Sequence, residues 1–517
     1  MKKITVFVAL LWCACWVGAA AEKSDFTFDV PFGAKPVGFR VVLQYDHSRS
    51  YKPAVDAEGK PVTGERARPI QTLIWYPAQP GKLSEPMAYS GYLDLLATEE
   101  DFNQDDQQRA AKLKSVLEDR QLMDNYDRER VQLTKAFRDA SPQPGHFPVV
   151  VYAPSFSASA FENSDLCEFL ASHGYIVVAS PDMGAHSRFM TSDSEGIETQ
   201  VSDIEFLIGY AQKIPEADSS RIAVVGFSWG GISNVFARMK DDRISALVSL
   251  DGTIRYAPER IKEATYVTPN KLTVPFLYLS SRNRSLEELN RYKFDVSYSF
   301  LNELKYSDFY LVNFSVMQHQ DFSSFFIRFR KAGDFKDYTA AEISQSHSWM
   351  ARYVFEFLQA YLKNDPAALQ FLKNETAQNS VPAHLLTIDA RVALHSAPDV
   401  ADFARELASN GFEKSVETYE RVRKADPSFK LDESEVNHWG YDLLRNAKFP
   451  QAIAVFKLNV AMYPKSSNTY DSLADAQAAA GDKEGSIANY RKSIELNADD
   501  TNASIEKLKK LEATSAK

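Results

Sequence analysis

Residues 221–239 read RIAVVGFSWGGISNVFARM. The run begins as a short apolar strand, Ile222 to Val225, and ends as an amphipathic helix, with Gly226, Ser228, Gly230 and Gly231 at the junction. A strand fed into a helix through Gly-x-Ser-x-Gly turns so sharply that the serine takes a strained backbone, and flanking glycines avoid the clash. The plainer alternative is a glycine-rich turn with a helix-capping serine. Here both flanks, strand before and helix after, fit the sharper reading. Ser228 is then expected at the carboxyl end of a sheet, its hydroxyl free, above a helix N-terminus that favours developing negative charge.

Working outward, short β-branched or aromatic runs predict strands at 37–45, 70–76, 149–152, 175–179, 222–225, 246–250, 275–279 and 309–314. Amphipathic segments between them predict helices at 161–172, 199–213, 228–239 and 348–362. Several of the strands are continuously apolar, as strands covered on both faces must be. The fold class is therefore α/β, a mostly parallel sheet flanked by helices, over residues 26–376. Residues 92–140 break the alternation: they are charged and Gln-rich, and DDQQRAAKLKSVLEDRQL and RERVQLTKAF both read as helix. That insert is either a decorating pair of surface helices or a substrate-gating lid.

A nucleophilic serine needs a base and an acid that orients the base. In this kind of fold they follow the serine in the order acid, then histidine. The next strand, ALVSLDGTI, ends on Asp251, whereas PFLYLS is followed by Arg282, Asn283, Arg284 and Ser285, with no acid in the first turn. Asp251 is the expected acid. Among the histidines, His319 lies where the last strand leaves the sheet. His347 reads as a helix-start or surface residue, His173 as a helix C-terminal residue, and His186 as a loop residue able to touch substrate. His319 is the expected base. The oxyanion needs two backbone N–H groups; these are assigned to Trp229, after the serine, and to Phe156 in PSFSAS. Met183 and His186 are the candidate pocket residues.

The strings PVVVYAPSFSASAF, FLASHGYIVVASPD, GFSWGG, LVSLDG and HQDFSSFF, in this order, resemble the platelet-activating-factor acetylhydrolase and dienelactone hydrolase branch of the α/β-hydrolase superfamily. The resemblance covers about residues 37–372. It implies an α/β-hydrolase fold, an acid at Asp251 and a His-Gln-x-Phe string on His319, Gln320 and Phe322. LIWYPAQ at 73–79 is similar to an early strand of that family. The chain departs from the family in carrying Pro154 and Ser155 where relatives often have His-Gly, and in the insert. An exported serine hydrolase cleaving carboxylic esters follows, of the EC 3.1.1 kind, with short acyl groups preferred. A serine peptidase or amidase, or an inert hydrolase-fold scaffold, are the alternatives.

Residues 398–513 are helical and repetitive. Gly440 and Ala474, Ala452 and Ser486, Phe456 and Tyr490, and Pro464 and Ala498 recur 34 residues apart, a spacing and small/aromatic pattern that resembles tetratricopeptide repeats. A looser copy, FARELASNGFEKSVETYERVRKADP, precedes them, and residues 505–511 read as a capping helix. Such repeats imply a groove for a peptide or protein partner; the alternative is a helical cap.

Whole-chain properties bound these readings. At 517 residues, two or more domains are expected. A formal charge of −10 argues against a nucleic-acid partner. Lys2 and Lys3, an apolar run at 4–17 and the small residues at 18–21 read as a signal peptide cleaved near Ala21, hence export to the periplasm or beyond. Its removal takes Cys13 and Cys15 away and leaves Cys167 without an intrachain partner. No Cys/His cluster or phosphate-binding glycine loop calls for a metal or organic cofactor.

Overall fold

The computed structural model describes residues 22–81, 84–282, 290–291, 294, 299–335, 337–393, 400–425, 427, 429–497 and 502–515. The leader expected at 1–21 lies outside them, as do Asn283, Arg284 and Ser285. The chain divides into two compact units, residues 1–395 and 396–517.

The first unit is built on one eleven-stranded sheet. Its strands are β1 (Val37–Ser50), β2 (Ala67–Gln79), β3 (Ala136–Arg138), β4 (Ser141–Pro142), β5 (Phe147–Ala153), β6 (Ile176–Ala179), β7 (Ala217–Phe227), β8 (Ile244–Leu250), β9 (Phe276–Ser280), β10 (Phe309–Phe314) and β11 (Leu386–Arg391). They lie in the order β11-β10-β9-β8-β7-β5-β6-β2-β1-β3, with β4 paired to β2. From β6 to β10 every neighbour is parallel; β2 runs antiparallel to both β1 and β6, and β11 antiparallel to β10. Each expected strand is present. The sheet also runs past the expected end at 376, because 386–391 add β11.

Alternation of side chains along the central strands fills two apolar layers. Val150, Tyr152, Val225 and Val248 point to one face, against α3 (Ser164–Ser172) and α6 (Ala340–Leu362). Val149, Val151, Val224 and Leu247 point to the other, against α4 (Ser194–Ala211) and α5 (Gly230–Lys240). These residues are essentially fully buried, each contributing roughly 1.5–3 kcal/mol. The layers make the strand ends rigid, and the ends carry the site.

The insert holds α1 (Asp106–Asp119) and α2 (Met123–Glu129). α1 starts on a capping box: Asp105 accepts from the Gln108 amide at 2.8 Å and Gln108 from the Asp105 amide at 2.9 Å. RERVQLTKAF, expected as helix, is not one beyond Glu129. Its backbone pairs with 87–89 instead: Tyr89 N donates to Gln132 O at 2.8 Å and Met87 N to Ala136 O at 2.7 Å, before β3 joins β1. The β-branched Thr134 suits that path. His347 also differs from expectation. α6 begins seven residues earlier than a start at His347 requires, on the Thr339–Glu342 capping box, so the imidazole is fully buried inside the helix.

The described elements of the second unit include the helices α7 (Val400–Asn410), α8 (Ser415–Ala425), α9 (Glu433–Arg445), α10 (Phe449–Met462), α11 (Ser467–Ala479), α12 (Lys483–Leu496) and α13 (Asn502–Ser515). α9 packs on α10 and α11 on α12. A Cβ at Gly440 would sit 2.4 Å from the Phe456 ring, so the small residue is what lets α9 and α10 close together. Tyr490 and Ser486 are buried, with Ser486 Oγ donating to Ala474 O at 2.9 Å.

Among the described residues no helix is long and apolar enough to cross a membrane.

Candidate active site

At the end of β7 the chain reverses into α5 through Ser228, whose φ is +52°. A non-glycine residue there carries backbone strain. Hydrogen bonds on both sides hold it: Ser228 N donates to Leu250 O at 3.0 Å, and Ser228 O accepts from Thr253 N at 2.8 Å and Gly231 N at 3.0 Å. The glycines are sterically required. A Cβ on Gly226 would lie 2.0 Å from Gly230 O, and one on Gly230 2.1 Å from Ala153 O. The sharp turn anticipated from the sequence is therefore locked by three neighbouring strand ends.

Asp251 follows β8 directly and is also in the left-handed region, with φ +42°. The chain after β10 delivers His319 at the start of a 3-10 turn, His319–Phe322. The structure brings the three residues together. His319 Nε2 lies 2.9 Å from Ser228 Oγ, and His319 Nδ1 lies 2.7 Å from Asp251 Oδ2. Asp251 is fully buried, and its second oxygen accepts from Ser281 N at 3.1 Å and Tyr256 OH at 3.2 Å. Burial by itself would raise its pKa, but the bonds and charge of His319 and the Ser281 bonds outweigh it and hold the carboxyl at about 2. Behind the imidazole, the Asp321 side chain accepts from Gln318 N at 2.7 Å and pairs with Arg330. The buried His347 hydrogen-bonds Asp321 O at 3.0 Å through Nδ1, and burial drops its pKa to about 4. It props the His319 turn as a neutral ring.

The loop after β5 faces Ser228 from the other side. Pro154 has no N–H, Ser155 N donates to Glu162 Oε1 at 2.6 Å, and Ser157 N donates to Asp182 Oδ2 at 2.8 Å. Phe156 N and Trp229 N have no acceptor among the described residues. The Phe156 and Trp229 rings meet edge-to-face at 5.5 Å, so the two loops are in contact. Glu162, absent from the sequence-based site, anchors this loop: it also accepts from Ser155 Oγ at 2.7 Å and Tyr152 OH at 3.0 Å. Burial pushes its carboxyl up to about 7 despite those hydrogen bonds. The available signal was a glutamate directly after the small and apolar run SASAF.

Beside the site lies a cavity of about 810 Å³, walled by Phe156, by Gln318 and Gln320 on either side of His319, and by the insert through Arg120. Met183 and His186 do not border it. Arg68, ion-paired with Asp203 at 2.6 Å, draws their loop away by donating to Met183 O at 2.9 Å and Gly184 O at 2.7 Å. The Met183 side chain is buried, and His186 Nδ1 hydrogen-bonds Tyr51 O at 3.2 Å. No group of His, Cys, Asp and Glu among the described residues is arranged to hold a metal ion.

A family model described as chlorophyllase matches residues 123–257, a stretch holding Ser228 and Asp251 but ending before His319. Among solved structures, a ferulic acid esterase from Streptomyces cinnamoneus superposes with a TM-score of 0.49 at 20% identity, over 72% of this chain and 100% of that one. No curated protein sequence matches. Taken with the sheet order and the turn at Ser228, the chlorophyllase match makes the first unit an α/β-hydrolase fold.

Proposed function

We propose that the protein is a serine hydrolase cleaving carboxylic esters, related to the acetylhydrolase-like branch and exported after cleavage near Ala21. The observation that carries this reading is the continuous relay from the strained Ser228 through His319 to Asp251, at 2.9 and 2.7 Å. Ser228 Oγ attacks the ester carbonyl while His319 Nε2 takes its proton. Asp251, an anion at any ordinary pH, keeps the proton on Nδ1 and stabilises the imidazolium. Phe156 N and Trp229 N receive the negative charge that grows on the carbonyl oxygen. His319 then passes its proton to the leaving alcohol, and water, activated by the same imidazole, releases the acid. The chlorophyllase match supports an esterase over a peptidase. The second unit, with its 34-residue spacing of small and aromatic residues, is a tetratricopeptide-like module binding a peptide or protein.

A fluorophosphonate probe tests the chemistry. Folded protein is expected to label at Ser228 and to hydrolyse p-nitrophenyl esters, and Ser228→Ala to lose both. Absence of label on the folded protein, or label persisting in Ser228→Ala, overturns the reading.

A further inference from the structure

The cavity bordered by Phe156 and by Gln318 and Gln320, the residues on either side of His319, combines aromatic walls with cations, and one cation stands apart. Phe156, Phe325, Phe326 and Phe329 supply apolar surface. Arg282 is ion-paired with Asp337 at 2.8 Å, Lys331 with Asp124 at 3.0 Å, and Arg330 with Asp321. Arg120 has no carboxylate partner among the described residues. Among the described residues its side chain makes one hydrogen bond, from Nη1 to Ser159 Oγ at 3.3 Å, on the same loop as Phe156. The carboxylates nearest in charge are occupied: Glu99 pairs with Arg188 at 2.7 Å, and Glu162 is held by Ser155 and Tyr152. Asp334, the remaining acid of the lining, is exposed at the rim.

Arg120 is nonetheless mostly buried. Burial lowers its pKa and nothing reverses the shift, whereas at Arg188 and Arg328 carboxylate partners outweigh burial and raise theirs. An uncompensated guanidinium in such a setting is costly, and a bound anion would repay it. The planar fork of arginine suits a carboxylate or phosphate, which it can grip with two N–H groups. The residue sits where α1 ends, immediately before Gln121 with φ +56°, so the backbone turn fixes its direction into the cavity.

We infer that the cavity selects esters whose acyl or alcohol part carries a carboxylate or phosphate, and that Arg120, supplied by the insert, reads that charge. This rests on the esterase reading above. The insert is then a specificity element, and the aromatic walls hold the apolar body of the same substrate.

Two matched pairs of esters test it. p-Nitrophenyl hemisuccinate against its methyl ester places the charge on the acyl side; 4-carboxyphenyl butyrate against 4-(methoxycarbonyl)phenyl butyrate places it on the alcohol side. In at least one pair the native enzyme is expected to favour the anion in kcat/KM by on the order of tenfold, as a charged hydrogen-bonded contact supports. The pair that responds identifies the side. Arg120→Gln should cut that ratio by about the same factor, and Arg120→Lys should restore part of it. Because the ratio is read within each variant, loss of folded protein does not mimic the effect. No preference for the anion in either pair, or a preference that survives Arg120→Gln, overturns the inference while leaving the esterase standing. No turnover of any of the four, with no fluorophosphonate label, overturns both.

Discussion

Two carboxyl groups stand behind the site, Asp251 against the His319 imidazole and Glu162 under the loop after β5, and both are almost wholly buried: Asp251 at 0% exposed, Glu162 at 2%. Burial pushes both pKa values upward. Yet Asp251 is held at about 2 and Glu162 rises to about 7. The difference lies in the partners. Asp251 faces an imidazole N–H at 2.7 Å, a potential cation, together with a backbone amide and the Tyr256 hydroxyl. Glu162 faces two hydroxyls and one amide, with the charge of His319 acting only as the weakest of its lowering influences. Equal burial thus yields a permanent anion beside His319, and a group that changes charge near neutrality while holding the loop after β5.

The sharpest way to break this comparison is to neutralise Asp251. Asp251→Asn should keep the fold but leave the imidazole without its negative partner, lowering kcat on the order of 10⁴-fold. Steady-state ester hydrolysis reads this directly, and near-normal turnover would mean that a different acid orients His319. Glu162→Gln should act more mildly on catalysis, about tenfold on kcat/KM, because the loop keeps its Asp182 anchor. Its larger signature is in stability against pH. A carboxyl whose pKa is raised on folding binds more protons in the native state, so this group makes stability fall as pH rises from about 4.5 to about 7. Urea unfolding across that window should show a shallower fall in Glu162→Gln; an unchanged slope would assign the titration elsewhere. Asp251 contributes with the opposite sign, its stabilisation present above pH 3.8 and lost as pH falls toward about 2. The smallest effect is expected from Tyr256→Phe. It removes one 3.2 Å hydrogen bond to Asp251 while Ser281 N still serves the same oxygen, so kcat should drop only a few-fold.

The strands and the meeting of Ser228, Asp251 and His319 were legible because each signal is local. A continuously apolar run marks a strand covered on both faces, and Ser228, Asp251 and His319 each follow such a run directly or after a short loop. What escaped the sequence depends on contacts between distant segments. RERVQLTKAF has helical composition, but backbone partners at 87–89 win it away. His347 is buried because Phe26 and Phe28, far off in the sequence, pack against its ring at 5.3 and 6.2 Å. The loop of Met183 and His186 follows a strand end, as pocket loops do, but Arg68 draws it off from a strand more than a hundred residues earlier. Arg120 looked like one charge among many on a polar helix, and only the fold sets it in a cavity wall.

β11 carries a consequence for any attempt to isolate the catalytic unit. Residues 386–391 pair along all of β10, from Phe309 opposite Arg391 to Phe314 opposite Leu386. A chain cut at Thr376, the expected end of the domain, would strip that strand away and bare the amides and carbonyls on the β11 side of β10, those of Phe309, Leu311 and Asn313. An open, apolar edge of this kind invites a strand from another molecule, and aggregation follows. β11, alternating Thr387, Asp389 and Arg391 with less polar neighbours, covers it with charged residues of its own. Solubility of the hydrolase thus depends on residues with no part in its chemistry.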